Sequence, residues 1–124
     1  MRPSQVLVTG VSGPELTNDE IRLFQKIQPG GFILFTRNIV DPWQTRQLTD
    51  SLRDLCEETP LIAIDNEGGR VWRTAPFSPP CPSAATLGRH NNPKLIAEAG
   101  WITGRLLSLL GINLNLAPVL DLDH

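Results

Sequence analysis

One apolar run in this chain ends abruptly in chemistry. Leu61-Ile62-Ala63-Ile64 leads into Asp65-Asn66-Glu67-Gly68-Gly69-Arg70-Val71-Trp72-Arg73, with carboxylates, glycines and guanidiniums inside nine residues. Four apolar residues without polar alternation suit a strand covered on both faces, as in parallel α/β sheets, where ligands sit beyond the carboxyl ends of the strands. Asp65 would then stand at the rim of a pocket. Gly68 and Gly69 permit positive φ and a close approach of backbone to a ligand, and Arg70 and Arg73, three apart, would share one side of a helical turn. The spacing alone fits equally well a structural Asp–Arg pair that holds a tight βα turn.

The stretch is not a phosphate loop. It lacks the Gly-Lys-Ser/Thr ending of a P-loop and the three-glycine spacing of a dinucleotide fingerprint. An acid-led loop points to a polyhydroxylated or cationic ligand: a carboxylate accepts from neighbouring hydroxyls, and an arginine donates to a hydroxyl or acyl oxygen.

The elements needed to present this loop can be read around it. Gln5 to Gly10 reads as a first buried strand. Thr17-Asn18-Asp19-Glu20 carries a capping signal for a helix with Ile21, Phe24 and Ile27 on one face, stopped by Pro29-Gly30-Gly31. Phe32 to Phe35 is the second strand, and Thr36-Arg37-Asn38 at its end are placed to reach the rim of Asp65 or to form a solvated loop. Asp41-Pro42 opens a second helix with Trp43, Leu48, Leu52 and Leu55 on its apolar side, closed by Thr59-Pro60. Thr74 to Asn92, rich in proline, serine and threonine, reads as a long loop over the pocket mouth with one short turn. Pro93 to Gly111 is the clearest helix, its apolar face being Leu95, Ile96, Ala99, Ile102, Leu106, Leu109 and Leu110. Ile112 to Val119 follows as the fourth strand, with Asp121, Asp123 and His124 at its polar end.

At 124 residues, 40% hydrophobic and 19% charged, the chain has the composition of one globular domain. A net charge of -2 with both signs interspersed provides no basic patch for nucleic acid or anionic membrane. No apolar run approaches the roughly 18 residues of a membrane-spanning helix, and Met1 to Ser4 leads directly into the first strand, which sets a cytoplasmic expectation. Cys56 and Cys81 read as free thiols, and no Cys/His cluster suggests a metal or other cofactor. His90, in a loop, and His124, at the terminus, read as solvated imidazoles.

Asp65 to Val71 followed by Arg73 resembles the Asp-x-Glu-Gly-Gly-Arg-Val-x-Arg signature of family 3 glycoside hydrolases, and most of all their bacterial β-N-acetylhexosaminidases. Gly30 to Phe35, Pro82 to Gly88 and Ala117 to Asp123 are similar to that family's segments in the same order. Asn66 stands where glutamine is usual, and Trp72 where a polar residue is common. The resemblance implies an α/β fold, the first half, about four βα units, of a (β/α)8 TIM barrel, with residues 1–124 as a single domain and the catalytic barrel truncated. It implies a glycosidase that removes terminal β-linked N-acetylhexosamine with retention from amino-sugar glycosides such as cell-wall fragments. It assigns substrate binding to Asp65 and Arg73. Glu67, Gly68, Gly69 and Arg70 are assigned to organising the loop, and Asp121, at the fourth strand, more to structure than to ligand. The nucleophile and the acid/base of the family lie on later segments, so no catalytic residue is expected here and the 124-residue chain alone is expected to be inactive. Its open parallel edges are expected to drive self-association. A non-catalytic sugar-binding half-barrel and an unrelated α/β module binding an anion at Gly68-Gly69 are the competing readings.

Overall fold

The computed structural model describes residues 3–120; Asp121, Asp123 and His124 lie outside the described residues. The order is β1 (Val8–Gly10), α1 (Asn18–Ile27), β2 (Gly31–Leu34), α2 (Pro42–Asp54), β3 (Leu61–Ile64), a hairpin of β4 (Asn66–Gly68) and β5 (Val71–Trp72), α3 (Ala84–His90), α4 (Pro93–Leu109) and β6 (Leu114–Asn115). The sheet runs β1-β2-β3-β6, and every pairing in it is parallel. Each strand therefore lies beside its predecessor, the winding of a (β/α) barrel rather than of an open doubly wound sheet.

Register explains which residues meet the helices. Phe32 pairs with Ile62 and Leu34 with Ile64, so these four share one face. All four are fully buried, in a cluster with Phe24 of α1, Leu48 and Leu52 of α2 and Leu107 of α4. Phe24 and Phe32 meet edge to face with ring centroids 5.0 Å apart. The opposite parity, Gly31, Ile33, Leu61 and Ala63, faces the barrel interior, where Leu61 remains 48% exposed. The barrel is not closed by these residues.

The expected strand over Gln5 to Gly10 is instead a 3-10 turn at Pro3–Val6 followed by three residues of β1. It is not buried: Val6, Leu7 and Val8 are exposed, because β1 is the sheet edge and has β2 on one side alone. The fourth strand also contracts, from Ile112–Val119 to Leu114–Asn115. Beside it Asn113 accepts the Ile62 N–H at 2.7 Å and donates to the Pro60 carbonyl at 3.1 Å. A side chain thus completes pairing that the short strand does not reach.

The helix signals resolve as chemistry predicts at their starts. Thr17 and Glu20 form a reciprocal capping box, and Asp41 accepts the Gln44 N–H ahead of Pro42. The apolar faces shift, however. In α2 the buried stripe is Thr45, Leu48, Thr49 and Leu52, while Trp43 is 76% exposed. Threonine can occupy this stripe because its hydroxyl has partners: Thr45 donates to the Asp41 carbonyl at 2.7 Å and Thr49 to that of Leu110 at 2.8 Å. In α4 the buried positions are Thr103 and Leu107; of the expected stripe Leu110 is buried and Leu106 packs against the core, whereas Leu95, Ile96, Ile102 and Leu109 are exposed. α4 is apolar on more than one side, and one side alone finds the sheet. The region after Thr74 contains the seven-residue α3, with His90 in its exposed last turn rather than in a loop.

The end of α4 is tied to α2 at Gly111. Its φ is +77°, and a Cβ there would fall 2.4 Å from Thr49 Oγ1 and 2.8 Å from an Arg53 terminal nitrogen. Arg53 also donates to the Gly111 carbonyl. Gly111→Ala should therefore lower stability by about 1–3 kcal/mol, from left-handed strain and displacement of the Thr49 and Arg53 contacts. Urea unfolding of the variant should show an earlier midpoint at an unchanged slope.

Candidate functional site

Asp65 follows β3 and Phe35 follows β2 by one residue, and extending the register Leu34↔Ile64 by one sets them side by side on the barrel-interior parity. Strand alternation thus carries the carboxylate and the ring to the carboxyl rim of the sheet. Arg73, one residue beyond β5, folds back onto both: its Nη2 lies 3.5 Å from Asp65 Oδ2, and its guanidinium carbon is 5.9 Å from the Phe35 centroid. The side chains of Asp65 and Arg73 are each 27% exposed, so a ligand can still reach them. An ion pair this solvated and this long contributes at most about 1 kcal/mol. Arg73 Nε is buried without a hydrogen-bond partner, which leaves a donor unused at the site.

The structure replaces the expected helical turn with an antiparallel hairpin, in which Asn66 pairs with Trp72 and Gly68 with Val71 around a bulge. Arg70 is consequently not beside Arg73. It is exposed, with no hydrogen bond or ion pair among the described residues, and the loop-organising work expected of it falls to Asn66. Asn66 is buried; its Oδ1 accepts the Arg73 N–H at 2.8 Å and its Nδ2 reaches Thr74 Oγ1 at 3.4 Å. Its backbone is held on the other side by Asn115, which accepts from Asn66 N at 3.0 Å and donates to Asn66 O at 3.2 Å. The Thr74 and Ser78 hydroxyls meet at 2.9 Å, and buried Trp72 donates through Nε1 to Ser78 Oγ at 3.0 Å. The polar groups under the hairpin thus form a connected set.

Gly68 and Gly69 do adopt positive φ, +91° and +59°. Their close approach is to the chain itself: a Cβ on Gly68 would meet the Pro82 carbonyl at 2.5 Å, and Gly69 N–H donates to the Cys81 carbonyl at 2.8 Å. They pin the proline-rich segment to the hairpin rather than admit a ligand. Glu67 is half-buried in β4 and forms no ion pair among the described residues. Asp121 falls outside the described residues. Asn66, Asn115 and Phe35 were not singled out as site residues by sequence reasoning. A recognisable signal existed for Asn115, a polar residue alternating with Leu114 and Leu116.

Chemically, the described residues set the Asp65 carboxylate and the guanidiniums of Arg73 and Arg37 about Phe35, groups that can meet hydroxyl and acyl oxygens. Among the described residues the rim does not offer two carboxyl groups facing across a gap of about 5–5.5 Å, as a retaining glycosidase requires. Cys56 adds no nucleophile, since burial raises its thiol pKa.

Residues 4–124 match the glycosyl hydrolase family 3 N-terminal domain. The chain belongs to this family. A β-hexosaminidase of Methylobacillus flagellatus is 38% identical over 124 residues, covering 95% of this chain and 36% of the relative. One of Photobacterium profundum is 40% identical over 117 residues, covering 94% and 35%. The chain therefore spans about a third of the length of such relatives. A family 3 β-N-acetylglucosaminidase of Paenibacillus sp. str. FPU-7 superposes with a TM-score of 0.87 at 34% identity, over 93% of this chain and 23% of that one. NagZ of Neisseria gonorrhoeae, solved with N-trifluoroacetyl-D-glucosamine, superposes with 0.79 at 31% identity, over 95% and 37%. The fold is accordingly the opening part of the family 3 (β/α)8 barrel, with four parallel strands of it present.

Asn66→Ala should cost about 1–3 kcal/mol, because it strands the Arg73 N–H and removes the contact to Thr74 Oγ1 beneath the hairpin. The expected signature is a lower unfolding midpoint together with a faster amide exchange at Arg73.

Proposed function

We propose that this chain is a single domain, the N-terminal half of a family 3 catalytic barrel, and that the complete protein removes terminal β-linked N-acetylhexosamine from amino-sugar glycosides with retention. The observation that carries the reading is the partly exposed Asp65 carboxylate at the end of β3, oriented by Arg73 beside Phe35. Its position at the carboxyl rim is where barrel enzymes hold substrate. The names of the β-hexosaminidase relatives, and the amino-sugar derivative in the Neisseria gonorrhoeae structure, support the sugar class. Cell-wall fragments met in the cytoplasm are the substrates this reading favours.

In the proposed mechanism Asp65 accepts hydrogen bonds from two sugar hydroxyls. Arg73 aims the carboxylate, its Nη2 lying 3.5 Å from Asp65 Oδ2, and its partly exposed guanidinium can meet a substrate oxygen. The attacking carboxylate and the proton donor come from residues beyond this chain. Glu67 shapes the hairpin and does not attack.

In the complete protein, Asp65→Ala removes two charge-assisted hydrogen bonds of about 1.5–3 kcal/mol each, so kcat/KM on nitrophenyl N-acetyl-β-glucosaminide should fall about a thousandfold with little change in Tm. Arg73→Ala should cost less, since water can replace part of its contribution. Near-normal turnover by Asp65→Ala, or a loss explained by unfolding, would return Asp65 to a structural role.

The 124-residue chain alone should release no nitrophenol above the buffer blank. It should also sediment as an oligomer at micromolar concentration, because the unpaired edges of β1 and β6 and the interior face around Leu61 expose apolar surface. Turnover abolished by Asp65→Ala would contradict the first expectation, and a stable compact monomer the second.

A further inference from the structure

Asn38 follows β2 in a 3-10 turn at Thr36–Asn38, and its amide is fully buried rather than solvated. A buried amide has one acceptor and two donors to satisfy. All its partners here are backbone groups. Oδ1 accepts the Phe35 N–H at 2.8 Å, while Nδ2 donates to the Val11 carbonyl at 3.0 Å and to that of Gly13 at 2.8 Å. The Asn38 N–H also donates to the Phe35 carbonyl at 2.9 Å. One residue thus brackets the N–H and the C=O of Phe35 and ties them to the segment after β1, 25 and 27 residues earlier. Arg37 reinforces the tie, its Nε donating to the same Val11 carbonyl at 3.1 Å. Val11 belongs to the core cluster, so the attachment is to packed structure.

What these bonds locate is a ring. β2 ends at Leu34, and Phe35, the next residue, is half-buried at the carboxyl rim. The Arg73 guanidinium carbon lies 5.9 Å from the Phe35 centroid, and Arg73 Nη2 lies 3.5 Å from Asp65 Oδ2. An ion pair this long and this solvated is too weak to set its own geometry, whereas an aromatic face beneath the guanidinium limits where it can lie. We propose that Asn38 is a positioning residue for the Asp65–Arg73 site, holding in place the Phe35 ring on which Arg73 rests. The inference rests on the hydrolase reading above and deepens it, in naming a buried residue that sets how well the rim grips its sugar.

The test uses the complete protein and nitrophenyl N-acetyl-β-glucosaminide, at a temperature well below the Tm of every variant. Asn38→Ala removes all three side-chain bonds and should lower kcat/KM at least about tenfold. Phe35→Leu, which removes the ring, should lower it by a similar factor, and Phe35→Tyr, which keeps the ring, should stay close to wild type. The deciding quantity is the double-mutant cycle. With the ring already gone, Asn38→Ala should cause little further loss of kcat/KM, although it still lowers Tm. Should Asn38→Ala not fold, Asn38→Ser, which keeps a hydroxyl at the position, enters the same cycle. Additive losses of kcat/KM, or a lower Tm at unchanged kcat/KM, make Asn38 a structural brace and overturn the proposal. Near-wild-type kcat/KM in Phe35→Leu defeats the role of the ring and overturns it equally. Wild-type protein that does not hydrolyse the glycoside overturns the hydrolase reading itself, and this inference with it. Wild-type turnover matched by the Asn38 variant defeats only the role of Asn38.

Discussion

Everything at the rim depends on the parallel register between β2 and β3. Because Phe32 pairs with Ile62 and Leu34 with Ile64, the large apolar side chains of both strands fall on one face, and helices α1, α2 and α4 can bury them together. A slip of one residue would turn Phe32 and Ile62 into the barrel interior and present Ile33 and Ala63 to the helices, leaving voids. The same constraint selects the opposite parity for Phe35 and Asp65. Packing on the helix side is thus what sends a carboxylate inward at the sheet's end, although no contact of Asp65 itself specifies it.

A second layer of control is polar. The hairpin after β3 hangs on asparagine side chains that mimic backbone: Asn66 accepts from Arg73, Asn115 brackets Asn66, and Asn113 brackets β3 lower down. An amide carries a donor and an acceptor on one rigid plane, so it can satisfy both groups of a peptide where a strand ends early. The buried hydroxyls of Thr74 and Ser78 and the Trp72 indole extend the network outward. These bonds locate the Arg73 backbone, whereas its ion pair with Asp65 only aims the side chain.

The ring of Phe35 organises charge in the same way. It gives two guanidiniums a polarisable surface at 4.8 and 5.9 Å, and so lets like charges sit near one another at a rim where a single carboxylate neutralises one of them.

Sequence alone determined the strand-to-loop transition at Ile64–Asp65, the helix starts at Thr17, Asp41 and Asn92, the parallel winding and the family signature that joins Asp65 to Arg73. These are local or ordered signals: capping chemistry acts within one turn, and an apolar run followed by acid, glycines and arginines is legible without a partner. Tertiary structure decided the rest. The hairpin that parts Arg70 from Arg73 depends on the segment at Cys81–Pro82 packing over Gly68 and Gly69. Likewise α4 offers apolar residues on more than one side, and the face through Thr103 and Leu107 is the buried one, Leu107 joining the cluster over Phe32, Leu34, Ile62 and Ile64. Trp43 and Trp101, at 76% and 67% exposure, lie on sides of their helices that no described element covers. Periodicity says that a helix has an apolar face; which face is buried depends on what stands opposite, and that information lies in distant parts of the chain.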